Sequence, residues 1–166
     1  MTIPEGATEV ILSYVRKKAA EWTPEEMVQR VQAAVHELEE AAFAVPDDLL
    51  EVCQEGQEWS PLECIRHVAE VNHGTATRVH GVVSQGVLLD DIPPVPESRT
   101  EVLATHAEII AGVVSAVLEG DGDPDADIVW LHPFLGELNW REWLLTLRVH
   151  SLDHARQLAA LQVSSP

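Results

Sequence analysis

The sequence predicts an all-α protein, a four-helix bundle with long crossover loops and an extra helix at its N-terminus. Three observations support this fold class. Apolar residues recur at the three- and four-residue spacing of a single helix face in five segments. Capping residues stand before three of these segments. Two long segments rich in turn-forming residues separate the later helices, so the helices need not simply alternate up and down.

The first two helices are predicted near the N-terminus. Residues 7–22 form the first, which is accessory to the bundle. A capping box of Thr23 and Glu26, with Pro24 at the first helical position, opens a second helix that ends near residue 44. Its predicted core face consists of Met27, Val31, Val35, Leu38 and Ala42.

The third and fourth helices flank the first crossover connection. Ser60 and Glu63 form a second capping box, which starts a helix from residue 61 to about residue 83. Residues 85–97 contain three prolines and cannot continue this helix. Residues 98–119 form the fourth helix. Its predicted core face consists of Val102, Leu103, Ile109, Ile110, Val113, Val114 and Val117.

The fifth helix follows a second long loop, predicted over residues 120–138. Asn139 and Glu142 cap this helix, which is predicted to end near residue 161. No repeat, low-complexity segment or change of composition divides the chain. Residues 1–166 are therefore predicted to form a single domain.

The composition excludes several classes of partner. Twenty-eight acidic residues against ten basic ones give a formal net charge of −18. This charge repels nucleic-acid phosphates and anionic membrane surfaces, so we expect neither as a partner. The N-terminus lacks the pattern of a signal peptide, and two isolated cysteines do not form a disulfide framework. We therefore expect a cytoplasmic protein with reduced thiols.

Three histidines form the candidate metal site. His150 and His154 are four residues apart in the last predicted helix, so their side chains project about 40° from one another. Such a pair is more often incidental than metal-binding. With His67 supplied by a facing helix, the set becomes three imidazoles, the ligand count of a catalytic metal site with an open position.

The other histidines and the acidic loop have simpler interpretations. The acidic segment of residues 121–127 places carboxylates at alternate positions, but Ala126 stands where a calcium loop needs glycine and His132 where it needs glutamate. It is predicted to be a solvated loop. Cys64 projects about 60° from His67 and is predicted to be a small buried hydrophobe. Four histidines are predicted to lie at the surface: His36, His73, His80 and His106.

Three sequence elements together resemble the DinB-like metal-dependent proteins, which include the YfiT-like hydrolases and thiol-dependent transferases. They span residues 59–157, and the helix pattern extends the likeness back to about residue 24. The elements are Trp59-Ser60-x-x-Glu63-x-x-x-His67, His132-Pro133-Phe134-Leu135-Gly136 and Trp140-x-x-Trp143, followed by His150-x-x-x-His154-x-x-Gln157. The resemblance implies a four-helix bundle with a divalent metal, commonly zinc or nickel, held by His67, His150 and His154.

Five further side chains are candidates for the surroundings of the metal. Glu63 and Glu70 project within about 60° of His67 and are candidate proton acceptors. Trp143 and Gln157 share the helix face of the histidine pair. Trp143 is expected to be a pocket wall or a core residue, and Gln157 to be a hydrogen-bonding partner of a metal ligand. Arg78 lies about three turns beyond His67, where it either meets an anionic group at the pocket mouth or faces solvent.

Two chemistries and one non-catalytic role fit this site. A metal held by three neutral imidazoles keeps its full charge, so a bound water loses a proton near neutral pH and a bound thiol ionises. The first leads to hydrolysis. The second leads to S-transfer from a low-molecular-weight thiol to a small electrophile, which the family resemblance favours. The alternative is a non-catalytic protein that binds a metal or small ligand or keeps the metal as a structural element. A fourth protein ligand from Glu63, Glu70 or Asp153 would favour the structural role. A homodimer through exposed apolar helix faces is compatible with each role.

Overall fold

The structure is a computed structural model that describes residues 6–120 and 127–163. Over these residues it has five α-helices, a short 3-10 turn and a two-stranded hairpin. The all-α, four-helix-bundle prediction and the extra N-terminal helix are confirmed. The helices are α1 Ala7–Glu21, α2 Pro24–Ala44, α3 Pro61–Gln85, α4 Arg99–Glu119 and α5 Trp140–Val163, and the 3-10 turn is Asp47–Leu49.

The predicted caps set the starts of three helices. Thr23 and Ser60 each form a complete capping box with the glutamate three residues further on. Asn139 Oδ1 accepts from the backbone N–H of Glu142 at 3.1 Å, and the Glu142 carboxylate accepts from the backbone N–H of Asn139 at 2.9 Å. Each box satisfies backbone donors that a helix start leaves unpaired, so these boundaries were readable from sequence.

The bundle core forms where α2 packs on α5 and α3 packs on both α4 and α5. All five predicted core residues of α2 are buried. The accessory α1 packs on α5. There the Arg141 guanidinium of α5 donates to the carbonyls of Ala19 at 2.9 Å and Trp22 at 2.5 Å. This contact ties the end of α1 to the start of α5, because those carbonyls have no partner within their own helix.

A β-hairpin replaces part of the second predicted loop. Strand β1, Val129–His132, pairs antiparallel with β2, Gly136–Asn139. The prediction of an irregular loop over residues 120–138 was wrong here because each strand has only four residues, too few to show an alternating pattern. The turn between them ends at Gly136, whose φ of 79° favours glycine. The predicted acidic loop at residues 121–126 lies outside the described residues.

Two histidines predicted at the surface are buried. His73 is 0% exposed and His106 is 1% exposed, and their rings stack at a centroid distance of 5.9 Å. The prediction was wrong because it did not include the packing of α3 on α4, the two helices that carry these histidines. Since α3 packs against α5 and also against α4, a side chain that turns away from the first helix meets the second. His36, in contrast, is exposed as predicted.

Helix α4 is the one helix among the described residues that is long and apolar enough to cross a membrane. Length and composition are the only grounds for this. Seven of its residues are buried within the bundle, a pattern that core helices of bundles also show. The finding is therefore weak evidence for a membrane-spanning segment.

A glycine at the end of α3 permits the chain to fold back closely. A Cβ atom on Gly81 would lie 2.6 Å from the Val87 carbonyl oxygen and 2.5 Å from Leu89 Cγ. We expect Gly81→Ala to lower the free energy of unfolding by about 1–3 kcal/mol, because a backbone atom must move.

The matched control is Gly112→Ala, where a Cβ meets nothing within 4 Å. In that helix interior, alanine should raise stability by about 0.5–1 kcal/mol. Urea unfolding checks both, and equal effects would contradict the steric argument.

Candidate metal centre

The three predicted histidines come together between α3 and α5. One ligand atom from each of His67, His150 and His154 lies within 4.8 Å of the others. The His67 ring centroid lies 5.4 Å from each of the other two centroids, which are 4.6 Å apart. Capping at Ser60 sets the start of α3 and capping at Asn139 that of α5, so the histidines meet at a fixed register.

Burial keeps these imidazoles in the form that binds metal ions. Burial, together with the smaller effects of the neighbouring His154 and His67, lowers the pKa of His150 to about 3. Burial likewise lowers the pKa values of His67 and His154. A neutral imidazole offers a lone pair to a cation, whereas an imidazolium cannot. The donor set therefore fits a divalent cation that accepts nitrogen ligands.

Gln157 determines which nitrogen of His154 faces the cluster. Its Oε1 lies 2.8 Å from Nδ1 of His154. Because an amide oxygen only accepts, His154 donates from Nδ1 and keeps Nε2 free. The hydrogen bond that the sequence predicted for Gln157 is formed, while the role of His154 as a metal ligand stays a prediction. Such partners fix the tautomer and orientation of a coordinating histidine.

Cys64 lies closer to the centre than its predicted role as a buried hydrophobe required. It is 1% exposed, and its Sγ lies 3.4 Å from His154 Nδ1 and 3.7 Å from Gln157 Oε1. Burial raises the pKa of the Cys64 thiol to about 12. The side chain therefore stays a neutral thiol and packs against His154 instead of adding a thiolate to the cluster.

A groove of about 680 Å³ runs along α3 beside His67. One wall comes from α3 and the other from the connection between α3 and α4, which the sequence did not place near the site. This connection was predicted to be a crossover, but the two helices that it joins pack directly on each other. Trp59, quoted in the sequence only as part of a motif, covers His67 with a ring centroid distance of 4.5 Å. The lining residues are Trp59, Glu63, Arg66, His67, Glu70, Ile92, Pro93, Pro94 and Val95.

The two candidate proton acceptors both line the groove but differ in their partners. The Glu63 carboxylate accepts from the backbone N–H of Ser60 at 2.8 Å and from its hydroxyl at 2.9 Å. These hydrogen bonds lower the pKa of Glu63. They make it a poor proton acceptor, because they stabilise its charged form. Glu70 is exposed and raises the pKa of His67 against the larger effect of burial, so it is the better placed of the two.

Trp143 and Arg78 lie outside the groove lining. Trp143 is buried, stacks on Trp130 at a centroid distance of 5.2 Å and donates from Nε1 to the Trp130 carbonyl at 3.2 Å. It anchors the hairpin to α5. Arg78 donates from Nε to Asp90 at 3.0 Å and forms an ion pair with the same carboxylate. It holds the first part of the connection between α3 and α4 against α3.

The fold and this site define a class of helical bundles with histidines facing inward from two helices. The family model of the DinB superfamily matches residues 25–158, and the chain belongs to that superfamily. A crystal structure described as TT2238, a four-helix bundle protein, is similar at 29% identity and a TM-score of 0.62. That likeness covers 86% of this chain and 100% of the other. No curated protein matches this chain.

Proposed function

We propose that the protein is a cytoplasmic, divalent-metal-dependent enzyme that acts on a small molecule. His67, His150 and His154 hold the ion, with zinc or nickel as the expected metal. The observation that carries the proposal is the approach of three neutral imidazoles to within 4.8 Å of one another beside a groove. When bound, the metal supplies positive charge that favours the ionised form of a thiol or water at an open position.

The composition of the cluster favours catalysis over a structural role. Within residues 6–120 and 127–163, the cluster contains three histidines and no carboxylate or thiol ligand. Asp153, a candidate fourth ligand, is exposed. Structural zinc sites generally fill four positions with protein ligands, whereas catalytic sites leave one open. A non-catalytic binding protein remains the alternative function, favoured if the groove takes a ligand without turnover.

Between the two chemistries, we favour S-transfer from a low-molecular-weight thiol. The groove beside His67 has an apolar wall of residues 92–95 that can receive an electrophile. Glu70, on the opposite wall, can accept the proton that a thiol releases at neutral pH. Hydrolysis uses the same carboxylate with water as the nucleophile, so it is the second candidate reaction.

Metal analysis of untagged protein tests the centre. We expect about one equivalent of zinc, nickel or a similar ion in wild type, as three imidazoles provide one site. The double variant His150→Ala, His154→Ala should lose it. His36→Ala is the matched control, because His36 is exposed and lies far along the chain on α2. Wild-type protein that takes up no metal even after reconstitution would contradict the proposal.

A cobalt-substituted protein tests whether the metal centre can bind and ionise a thiol, which the S-transfer reaction requires. We expect 2-mercaptoethanol to produce a sulfur-to-cobalt charge-transfer band, because a thiol at an open metal position ionises. Ethylene glycol, which has no thiol, is the control and should leave the spectrum unchanged. Absence of the band would exclude the thiol route and leave hydrolysis as the reaction to assay.

A further inference from the structure

We infer that Asn72 is a positioning residue of the metal centre. Its side-chain amide fixes the proton of His150 on Nδ1 and so keeps Nε2 of that histidine free for the ion. Sequence analysis did not single out this residue. The effect on metal binding rests on the proposed function. The tautomer of His150, in contrast, is a property of the metal-free protein.

The amide of Asn72 lies directly behind His150. Asn72 is 0% exposed on α3, and its Oδ1 lies 3.1 Å from Nδ1 of His150 on α5. An amide oxygen accepts hydrogen bonds and does not donate them. This distance therefore requires a proton on His150 Nδ1. A neutral imidazole carries one proton, so Nε2 is left as the unprotonated nitrogen.

The orientation of the amide is set by its other end. Asn72 Nδ2 lies 3.0 Å from His106 Nε2 and 3.1 Å from Ser151 Oγ. Both acceptors are buried, His106 at 1% and Ser151 at 0% exposure. Together they use both hydrogens of the amide nitrogen. In the reversed orientation the nitrogen would face only His150, and one of its two hydrogens would be buried without a partner. Because such a group is costly, the oxygen is held toward His150.

The reversed amide would disable the ligand. Its nitrogen would then face His150, whose Nδ1 would have to accept a hydrogen bond. The imidazole proton would move to Nε2, where it blocks coordination. His106 and Ser151 thus act on the metal centre through Asn72, although neither belongs to the three-histidine cluster. Gln157 performs the corresponding task for His154 from the other side.

The test combines tautomer and affinity measurements on three proteins. The imidazole ¹⁵N chemical shifts of His150 are recorded in metal-free protein at pH 8, and zinc affinity is measured by competition with a chelator. Wild type should show His150 protonated on Nδ1. Asn72→Leu, which has similar volume but no amide, should lose that preference and bind zinc about 10–100-fold more weakly, as loss of a ligand's hydrogen-bonding partner typically does.

Two further variants separate positioning from general damage. Asn72→Asp keeps an acceptor toward His150, so it should retain the Nδ1-protonated tautomer and rescue zinc binding. Ser151→Ala removes one partner of the amide nitrogen while His106 still holds the other, so it should weaken zinc binding less than Asn72→Leu does. Wild-type His150 protonated on Nε2 would overturn the inference without any variant. So would an unchanged tautomer in Asn72→Leu. If wild type binds no zinc, the proposed function fails while the tautomer still decides the role of Asn72.

Discussion

Excess zinc is expected to stabilise the wild-type protein strongly and the His150→Ala variant hardly at all. A ligand that binds only the folded state raises the free energy of unfolding by about 3 kcal/mol at roughly 100 times its dissociation constant. The folded state brings together three imidazole nitrogens within 4.8 Å. The unfolded chain does not hold them together. Removing His150 leaves two ligands, fewer than a zinc site normally requires.

Urea unfolding with buffered zinc and with a chelator measures this effect. The difference between the two conditions is compared within each variant, because His150→Ala also removes the partner of Asn72 and lowers stability without metal. His36→Ala should respond to zinc as wild type does, since its side chain is exposed and pairs with Glu40 on the same helix. An equal zinc effect in His150→Ala would place the metal elsewhere on the protein.

Acidification of the metal-free protein from pH 7.5 to pH 5 is expected to lower its stability by several kcal/mol. Burial, together with a smaller effect of His73, lowers the pKa of His106 to about 4, whereas an unfolded histidine titrates near 6.5. Below pH 6.5 the unfolded state therefore binds more protons than the folded state. Stability is retained above the unfolded pKa and falls with pH below it. His106 alone should cost about 2 kcal/mol by pH 5.

Urea unfolding at the two pH values, in wild type and in His106→Gln, checks this prediction. Glutamine does not titrate and can still accept a hydrogen bond from Asn72 through its amide oxygen. The loss of stability on acidification should be smaller by about 2 kcal/mol in the variant. The metal-site histidines also have lowered pKa values and should account for most of the remainder. A wild-type stability that is the same at both pH values would contradict the prediction.

The sequence predicted the helices well because their starts depend on local chemistry. Capping boxes at Thr23 and Ser60 involve residues three apart, so no knowledge of the tertiary structure was needed. The same holds for the histidine pair, which shares one face of one helix. The third histidine, His67, was predicted from its place on a facing helix and from the resemblance to the DinB-like proteins, and the structure places it beside the pair.

The remaining features depend on contacts between distant segments. His73 and His106 are buried because α3 and α4 pack against each other, which no periodicity within one helix reveals. The three hydrogen-bonding partners of Asn72 are His106, His150 and Ser151, which lie 34, 78 and 79 positions further along the chain. The hairpin pairs two short strands, and the groove uses residues of a connection that has no regular structure. Local patterns do not specify these pairings.

The proline-containing wall of the groove has a consequence for specificity. Pro93 and Pro94 have fixed φ angles and lack a backbone N–H, so this wall loses little conformational entropy when a molecule binds against it. The histidines, in contrast, belong to α3 and α5. On the proposed function, the histidines that carry the reaction and this wall of the groove therefore belong to separate parts of the chain. If the protein is such an enzyme, we expect substitutions at Ile92 or Val95 to change which molecule the groove accepts while the helices that carry the histidines stay unchanged.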